Sequence, residues 1–456
     1  MQTQIFTAHK RHLGMRAPTV LAVGFALTIL VGALVLMLPV SAADGQITPF
    51  LDALFTAASA SCVTGLVTVS TAVHWSVFGK CVILLLIQIG GLGFMSVAAI
   101  ASFVLRRTIT LHERMVMSAG LNLSDGGGIV RLTRRVLFGT FIIEGTGAVL
   151  LSCRFVPHYG FPKGITMGVF HAVSAFCNAG FDLMGTPDDP FQSLIGWAED
   201  PLVNITLMAL IVLGGLGFFV WSDVWDKHSF CRLRLHTKIV LTATAGLLLF
   251  GFGWTLLFEW NNPATLGAFD TPHKLLAAAF ESVTLRTAGF NTIDLGALTG
   301  PSQAVSCLLM FIGGSPGSTA GGIKTVTAAV LVLTAISAFC GRTTVSAFGR
   351  TIAPRSIMNA VTLLMAGGVL CLVGACAIAG IEDAPFHQCL FEAVSAFGTV
   401  GVSMGLTPTL AAASRVILIV MMYMGRVGVL TLGVAVFMRR REPPRLKYPD
   451  ADVFIG

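Results

Sequence analysis

The chain has 456 residues, of which 55% are hydrophobic and only 11% are charged, and its formal net charge is +7. Its mean hydropathy of +0.83 lies far above the soluble range. The composition therefore excludes a soluble globular protein and indicates a multi-pass membrane protein. The ten cysteines are scattered without a Cys-x-x-Cys pair and the histidines lack metal-ligand spacing, so we expect no cysteine or histidine metal site.

Eight apolar stretches are long enough to cross a hydrocarbon core of about 30 Å. They lie near residues 17–40, 75–105, 135–156, 201–221, 238–260, 303–339, 357–381 and 415–438. Within each successive pair lies a shorter apolar piece of about 10–14 residues, which is too short to span and suits a re-entrant helix. The first stretch follows basic residues as a signal peptide does, but its length of about 24 residues exceeds the roughly 7–15 of a signal hydrophobic region.

Charged residues orient these predicted spans. Basic residues concentrate in alternate connections, near residues 10–16, 106–135, 227–238, 342–355 and 439–447. The positive-inside rule predicts that these connections and both termini are cytoplasmic. The opposite connections are acidic, near residues 44–52, 182–200, 270–294 and 382–383, and an acidic outer mouth would concentrate cations. The net positive charge is therefore a topology signal and does not indicate nucleic-acid binding.

Four related segments divide the chain into repeats. They read FTAASASCVTGL from Phe55, FHAVSAFCNAGF from Phe170, FESVTLRTAGF from Phe280 and FEAVSAFGTVGV from Phe391. Their glycines are 115, 109 and 112 residues apart, at Gly65, Gly180, Gly289 and Gly401. We assign the four units to residues 1–110, 111–228, 229–345 and 346–456. The third copy is one residue shorter between its phenylalanine and its glycine.

A second repeat follows in the second helix of each unit. It reads IGGLGF at Ile89–Phe94, LGGLGF at Leu213–Phe218, IGGSPG at Ile312–Gly317 and MGRVGV at Met424–Val429. Four short helices that each precede a glycine suit a pore in which backbone carbonyls replace the hydration shell of a cation, and their negative dipole ends favour that cation. Small residues that merely allow helix packing are the alternative, and four copies between spans argue against it.

On these motifs the chain resembles the Trk/Ktr/HKT superfamily of potassium transporters, and it is most similar to the membrane subunit of bacterial Ktr systems. The resemblance covers about residues 15–440. It implies an all-α polytopic membrane protein with four M1–pore helix–M2 repeats, which are eight spanning helices and four re-entrant pore helices around one pseudo-fourfold pore. It also implies a location in the bacterial cytoplasmic membrane.

The resemblance assigns a K⁺-binding selectivity filter to backbone carbonyls of the four glycine segments. These residues are Cys62, Val63, Thr64 and Gly65; Cys177, Asn178, Ala179 and Gly180; Arg286, Thr287, Ala288 and Gly289; and Gly398, Thr399, Val400 and Gly401. Potassium-selective members carry glycine at the last position of all four segments, whereas plant relatives with serine in the first unit tend toward sodium. Since only that glycine is shared here, we expect looser selectivity than in tetrameric channels.

The second helix of the third unit is predicted to be broken. The stretch GGSPGSTAGGIKT at Gly313–Thr325 contains five glycines and one proline in thirteen residues, which a regular helix does not accommodate. Broken backbone at membrane depth persists where it is buried in protein or lines a cavity, and the stretch resembles the gating loop of the superfamily. A phosphate-binding loop is rejected because Ile323 separates Gly322 from Lys324. The predicted gate comprises Gly313, Gly314, Ser315, Pro316, Gly317, Ser318, Thr319, Ala320, Gly321, Gly322, Lys324 and Arg426.

Arg426 stands where the other units carry Gly91, Gly215 and Gly314. A charge at such depth costs at least ~2.5 kcal/mol and normally faces a cavity or a partner. One interpretation is a structural bond to a carboxylate or carbonyl. The other is an electrostatic latch under the filter, which matches the gate arginine of the superfamily. Lys324 would assist this latch or extend its ammonium group toward the interface.

A column of polar residues runs through the short helices, at Thr56, His171, Glu281 and Glu392. A proton relay is one interpretation of such a column. We favour structural hydrogen bonding behind the filter.

The leading hypothesis is a gated, passive potassium-translocating subunit. The alternative is a Na⁺- or H⁺-coupled secondary transporter with a midplane site at the broken helix, although such transporters usually show two repeats rather than four. An integral-membrane enzyme is not expected, because the sequence offers no plausible pair of nucleophile and base.

The resemblance also implies partners and ions. The expected partners are a second copy in a homodimer, a cytoplasmic nucleotide-binding RCK-type (KtrA-like) regulatory ring and the lipid bilayer. No covalently bound cofactor is expected. K⁺ would occupy the filter, and Na⁺ is a candidate activator.

Overall fold

The computed structural model describes residues 17–93, 129–429 and 431, whose regular secondary structure is almost entirely helical. The first predicted unit contains α1 (Ala17–Leu36), α2 (Phe50–Cys62) and α3 (Val77–Leu92). The second contains α4 (Ile129–Tyr159), α5 (Phe161–Phe176), α6 (Pro201–Leu216) and α7 (Phe218–Lys227). The third contains α8 (Leu235–Glu259), α9 (Thr271–Thr284), α10 (Gly300–Phe311) and α11 (Thr325–Phe339). The fourth contains α12 (Pro354–Ala379), α13 (Phe386–Gly398) and α14 (Ala412–Val427).

Little other regular structure occurs among these residues. An antiparallel hairpin of β1 (Ser346–Ala347) and β2 (Arg350–Thr351) lies between α11 and α12. Single 3-10 turns occur at Pro39–Ser41, Ile195–Trp197, Phe230–Arg232, Leu266–Ala268, Leu295–Ala297 and Thr407–Thr409. The described fold is therefore mostly helical, as predicted, apart from this short hairpin.

Four of the described helices, α1, α4, α8 and α12, are each long and apolar enough to cross a membrane. Each is the first helix of its unit. Helices α6 and α7 reach that length only as a pair, and they meet at an angle of 92°. The predicted stretch 201–221 is therefore interrupted rather than straight. The stretches 75–105 and 415–438 extend beyond the described residues.

The second helices end at one equivalent position in three of the units. Helices α3, α6 and α14 each stop before a glycine with a left-handed φ, namely Gly93 (+79°), Gly217 (+93°) and Gly428 (+90°). Glycine adopts this conformation without the steric cost that a side chain brings. In the third unit α10 ends at Phe311 and α11 begins at Thr325, which confirms the predicted break.

The helices pack in a closed cycle. The second helix of each unit contacts the short helix of the next unit: α3 contacts α5, α6 contacts α9, α10 contacts α13, and α14 contacts α2. The four short helices lie in the middle of the molecule, since their repeated phenylalanines are all at most 3% exposed, at Phe55, Phe170, Phe280 and Phe391. The repeated Phe therefore marks the core.

The first glycine of the second repeated motif lets the second helix approach the short helix of its own unit in three of the four units. A methyl group on the first glycine would lie within 3.0 Å of a carbonyl carbon near the end of that short helix in three units. The pairs are Gly90 with Ser61, Gly214 with Phe176, and Gly425 with Phe397. The glycines of this second motif therefore allow close helix packing, as small residues do in membrane proteins. The filter interpretation concerns the other glycines, which lie upstream at the ends of the short helices.

Several basic residues used to predict the orientation, near 10–16, 106–114 and 439–447, lie outside the described residues. The cytoplasmic location of both termini stays a prediction. The unit boundary at residues 110 and 111 also lies outside the described residues.

One ion pair joins the first and fourth units. Arg415 of α14 donates through Nη1 to Oδ1 of Asp52 in the first turn of α2, at 2.7 Å. The two side chains are 21% and 17% exposed. Asp52 also accepts a hydrogen bond from the hydroxyl of Thr68 at 2.9 Å. This pair therefore contributes to closing the helix cycle.

Arg415→Gln is expected to lower the free energy of unfolding by about 2 kcal/mol, because it leaves the Asp52 carboxylate without its cation in a mostly enclosed position. The thermal unfolding midpoint of the detergent-purified protein measures this change. The matched control is Arg135→Gln, which breaks a pair with Asp226 whose side chains are 49% and 52% exposed. The control should change stability by less than about 1 kcal/mol. Equal midpoints for both variants would contradict the assignment.

Candidate ion-conduction site

The four glycine segments share one unusual backbone conformation. The glycines have left-handed φ values of +95°, +71°, +83° and +94° at Gly65, Gly180, Gly289 and Gly401. Two residues before each glycine, a non-glycine residue is also left-handed, namely Val63, Asn178, Thr287 and Thr399. The residue between them is not left-handed. A backbone that alternates in hand in this way can direct successive carbonyl oxygens toward the same side.

The glycines close a ring around one axis. A methyl group on any of the four would lie within 2.8 Å of the carbonyl oxygen that precedes the glycine of the next unit. In order around the ring, Gly65 meets Ala179, Gly180 meets Ala288, Gly289 meets Val400 and Gly401 meets Thr64. The order is that of the helix cycle. Only glycine satisfies both the φ value and the space, so the sequence repeat has a direct steric cause.

A hydroxyl group at an equivalent position of each short helix supports the segment at or just beyond the glycine. Ser59 accepts from the Gly65 amide at 3.0 Å, and Ser174 donates to the Phe181 carbonyl at 2.7 Å. Thr284 donates to the Phe290 carbonyl at 2.6 Å and accepts from its amide at 3.1 Å. Ser395 of α13 likewise donates to a carbonyl, at 2.6 Å. Sequence reasoning missed these residues, although their regular spacing before the glycine was a usable signal.

The structure locates the one-residue deletion of the third unit. The Thr64 amide donates to the carbonyl of Ser59, five residues earlier, and the second and fourth units repeat this pattern. In the third unit the Ala288 amide donates to the carbonyl of Thr284, only four residues earlier. The deletion is therefore absorbed at the end of α9, before the left-handed Thr287. The glycine keeps its place in the ring.

The broken stretch forms a loop that packs under the ring. Thr319 lies beside the second segment, where its hydroxyl is 3.3 Å from the Phe176 carbonyl and 3.3 Å from the Asn178 amide group. A methyl group on Gly313 would lie 3.2 Å from the Thr287 side chain. Gly321 similarly faces the side chain of Thr399. The loop thus reaches the base of three of the four segments.

The bend between α6 and α7 anchors this loop. The Ser315 amide donates to the Gly215 carbonyl at 3.0 Å, and the Phe218 amide donates to the Gly317 carbonyl at 2.9 Å. Breaking α6 at Gly217 frees the backbone groups that form these bonds. The sequence did not predict this role, because LGGLGF reads the same as the motif of the first unit.

Arg426 connects three units through backbone carbonyls. It donates to the carbonyls of Thr319, at the tip of the loop, and of Gly90, at the end of α3. A third bond goes to the Gly91 carbonyl at 3.2 Å. Lys324 donates to the Ala320 carbonyl of its own loop at 2.6 Å. Its ammonium group therefore turns back onto the loop.

Two cavities lie on opposite sides of the ring and loop. One has a volume of about 190 Å³ and is lined by all four ring glycines together with Asp182 and Asp294. Burial raises the pKa of Asp182 to about 6, although the Met184 amide, which donates to it at 2.9 Å, acts in the opposite direction. The other cavity has a volume of about 550 Å³ and is lined by the loop with Lys324 and Arg426. Asp182 and Asp294 thus line one cavity, whereas Lys324 and Arg426 line the other.

A buried carboxyl group that sequence reasoning missed contacts the second segment. Glu144, in the middle of α4, is 5% exposed. Gln88 of α3 donates to both of its oxygens at 3.2 Å. The thiol of Cys177 lies 3.8 Å from Glu144 and 3.6 Å from Gln88. The repeated motifs lie in the short helices and the second helices, whereas Glu144 lies in a first helix. A comparison of the repeats therefore could not find this residue.

The polar column divides into two groups. His171 accepts from the Leu183 amide at 3.3 Å, and Glu392 accepts from the Met404 amide at 3.2 Å. Both contacted amides lie three residues beyond a ring glycine, which favours structural support over a proton relay. Within the described residues, Thr56 and Glu281 have buried side-chain oxygens without a hydrogen-bond partner.

Comparisons with known proteins identify relatives over the full length of the fold. A family model described as TrkH, cation transport protein, matches residues 3–442. The chain is 42% identical over 439 residues to the Ktr system potassium uptake protein B of Bacillus subtilis, covering 96% of each chain. It is 40% identical over 441 residues to the potassium/sodium uptake protein NtpJ of Enterococcus hirae, again covering 96% of each. The crystal structure of the potassium transporter TrkH from Vibrio parahaemolyticus has a similar fold, with a TM-score of 0.70, 17% identity and coverage of 94% of this chain and 86% of that one.

Thr284→Val is expected to lower the free energy of unfolding by about 1–3 kcal/mol, because the buried Phe290 amide loses its acceptor. Thermal unfolding of the purified protein measures the loss. The matched control is Thr362→Val, which removes an exposed hydroxyl bonded only to the Met358 carbonyl of its own helix. A midpoint for Thr284→Val equal to that of the control would refute the supporting role.

Proposed function

The chain belongs to the TrkH family of cation transport proteins, and we propose that it is the potassium-translocating membrane subunit of a K⁺ uptake system. The observation that carries the proposal is the closed ring of four left-handed glycines with a carbonyl oxygen beside each. Relatives named as potassium uptake proteins, similar over 96% of the chain, support the choice of ion. A membrane location agrees with the family and with the apolar helices.

We propose that the chain crosses the cytoplasmic membrane eight times. The first helices α1, α4, α8 and α12 span the bilayer, the second helices complete each unit, and α2, α5, α9 and α13 are re-entrant pore helices. One pseudo-fourfold pore passes through the glycine ring. A two-repeat secondary transporter is not favoured, because the helix cycle is closed by four units.

In the proposed filter, carbonyl oxygens replace the water around a K⁺ ion. The carbonyls of Thr64, Ala179, Ala288 and Val400 adjoin the ring glycines. The short helices end next to this ring, so their negative dipole ends stabilise a cation there. Asp182 and Asp294 on the outer cavity raise the local cation concentration. The cavity on the other side receives the ion after it passes the loop.

The loop and Arg426 form the proposed gate. The loop occupies the space under the ring, and the Arg426 guanidinium fixes its tip at Thr319. A cation that approaches Arg426 also meets its positive charge. Conduction therefore requires that the loop tip and Arg426 separate.

We also propose that the subunit works with partners. Relatives are named as parts of Ktr systems, which supports work together with other components. The partners that we propose are a second copy in a homodimer and a cytoplasmic nucleotide-binding regulatory ring. Na⁺ is a proposed activator, in line with the relative named as a potassium/sodium uptake protein.

Gly289→Ser is expected to reduce the preference for K⁺ over Na⁺ by at least about tenfold, equivalent to ~1.4 kcal/mol, because its Cβ would lie 2.7 Å from the Val400 carbonyl. Gly65→Ser should act in the same direction. Rb⁺ uptake in competition with Na⁺, in cells that lack their own K⁺ uptake systems, measures the preference. The control is Gly368→Ser on α12, where nothing lies within 4 Å. Unchanged rate and selectivity in both ring variants would refute the filter.

Arg426→Ala is expected to raise flux in the absence of any partner by about tenfold or more. A unit charge at about 5 Å opposes a cation by ~3 kcal/mol at an effective dielectric constant of about 20, and ~1.4 kcal/mol changes a rate tenfold. Rb⁺ flux into proteoliposomes that contain the purified chain alone measures it. Arg426→Lys, which retains the charge, should stay closer to the original rate. Unchanged or lower flux of correctly folded Arg426→Ala would count against the latch.

A further inference from the structure

Arg286 is a buried charge within the third glycine segment. The residue is only 7% exposed to solvent. The equivalent residues of the other segments are Cys62, Cys177 and Gly398, which are small and uncharged. A charge inside a membrane protein is expensive and usually has a function. The third unit is also the one whose second helix is interrupted by a loop, between α10 and α11, so the charge and the loop occur in the same unit.

The guanidinium of Arg286 bonds to both ends of that loop. Nη2 donates to the carbonyl of Gly313 at 2.9 Å and to the hydroxyl of Thr325 at 2.7 Å. The Thr325 hydroxyl in turn donates to the Gly313 carbonyl at 2.9 Å. Gly313 lies two residues after α10 and Thr325 begins α11. One side chain therefore joins the point where the loop leaves the first helix to the point where it enters the second.

Backbone bonds close the same place. The Gly313 amide donates to the Ile323 carbonyl at 2.8 Å, and the Thr325 amide donates to the Gly314 carbonyl at 3.0 Å. We call Gly313, Gly314, Ile323 and Thr325 the loop neck. In the part of the chain that the structure describes, Arg286 forms no ion pair, and its acceptors belong to this neck. The described hydrogen bonds of the Arg286 guanidinium thus all go to the neck.

We infer that Arg286 is a positioning residue that clamps the loop neck to the third glycine segment. This inference rests on the proposed gate and deepens it. Arg286 holds the neck, while Arg426 holds the tip at Thr319. The loop is consequently held at two points. When Arg426 releases the tip, the tip can move, while the neck keeps its position relative to Thr287 and the ring. The backbone of Arg286 is continuous with Thr287, so strain at the neck is transmitted to that segment.

The test uses the full chain purified in lipid nanodiscs and compares Arg286→Gln with Arg286→Lys. Hydrogen–deuterium exchange of peptides covering residues 313–325 reports on the neck without any transport assay. Exchange in Arg286→Gln should be at least tenfold faster than in the unaltered chain. Arg286→Lys keeps the charge and one donor group, so it should recover part of the protection. Thr325→Val, which removes the shared hydroxyl, should also accelerate exchange, and it tests the clamp if Arg286→Gln does not fold.

The matched control is Arg415→Gln, which removes a partly buried arginine that bonds elsewhere, to Asp52. It should lower the unfolding midpoint and leave exchange of residues 313–325 unchanged. A merely structural Arg286 would behave like this control. The clamp is therefore overturned if Arg286→Gln and Thr325→Val leave loop exchange unchanged, or if Arg415→Gln accelerates it equally.

Rb⁺ flux into proteoliposomes with the same variants separates this inference from the proposed function. Arg286→Gln should raise flux in the absence of a partner several-fold and lower the preference for Rb⁺ over Na⁺, because neck and filter loosen together. If the unaltered chain and Arg426→Ala both carry no Rb⁺ while loop exchange still responds to Arg286, the proposed function fails and the clamp stands. If Rb⁺ flux is robust and Arg286→Gln changes neither flux nor exchange, the clamp fails and the proposed function stands.

Discussion

Four backbone segments can meet at one axis only where none of them carries a side chain, and this steric constraint governs the arrangement. The ring glycines satisfy it with left-handed φ values and with carbonyl neighbours within 2.8 Å of where a methyl group would lie. The surrounding features serve the same approach. Short helices end at the ring, hydroxyl groups fix the chain at or just beyond it, and double glycines let the second helices press against the short ones. A side chain at a ring glycine, or at Gly90, Gly214 or Gly425, would push these elements apart.

Broken backbone creates a second constraint, since its amides and carbonyls must find partners away from water. The structure satisfies it by pairing one break with another: the loop of the third unit bonds to the backbone freed where α6 ends. Two arginines supply further donors, beside the Thr325 hydroxyl and the Lys324 ammonium group. Arg426 and Arg286 both bond to carbonyls or hydroxyls, and among the residues that the structure describes neither forms an ion pair with a carboxylate. Such bonds can be exchanged for water more readily than a buried ion pair, and this suits the opening that we propose for the gate.

The sequence revealed the features that repeat. Glycines at similar spacings of 115, 109 and 112 residues predicted the four segments, and five glycines with a proline predicted the break before Thr325. Two kinds of feature escaped. Gln88 occurs only in the first unit and Glu144 only in the second. A comparison between units therefore could not select either residue. Gly217 and Gly93 occupy the same motif position, yet only the structure reveals that the helix turns by 92° at Gly217. For Arg286, the repeat gave the position in the chain, but the direction of the side chain depends on a loop that is distant in sequence.

The ring is made from four unlike segments of a single polypeptide, and this has a genetic consequence. In a channel of four identical subunits, one codon alters every quarter of the pore at once. Here one codon alters one quarter and leaves three unchanged. The third segment illustrates the result, since it alone combines a buried arginine with a shortened helix end while its glycine still meets the Val400 carbonyl. In the function that we propose, a single chain of unlike segments allows one side of the pore to change for control while the other sides preserve conduction.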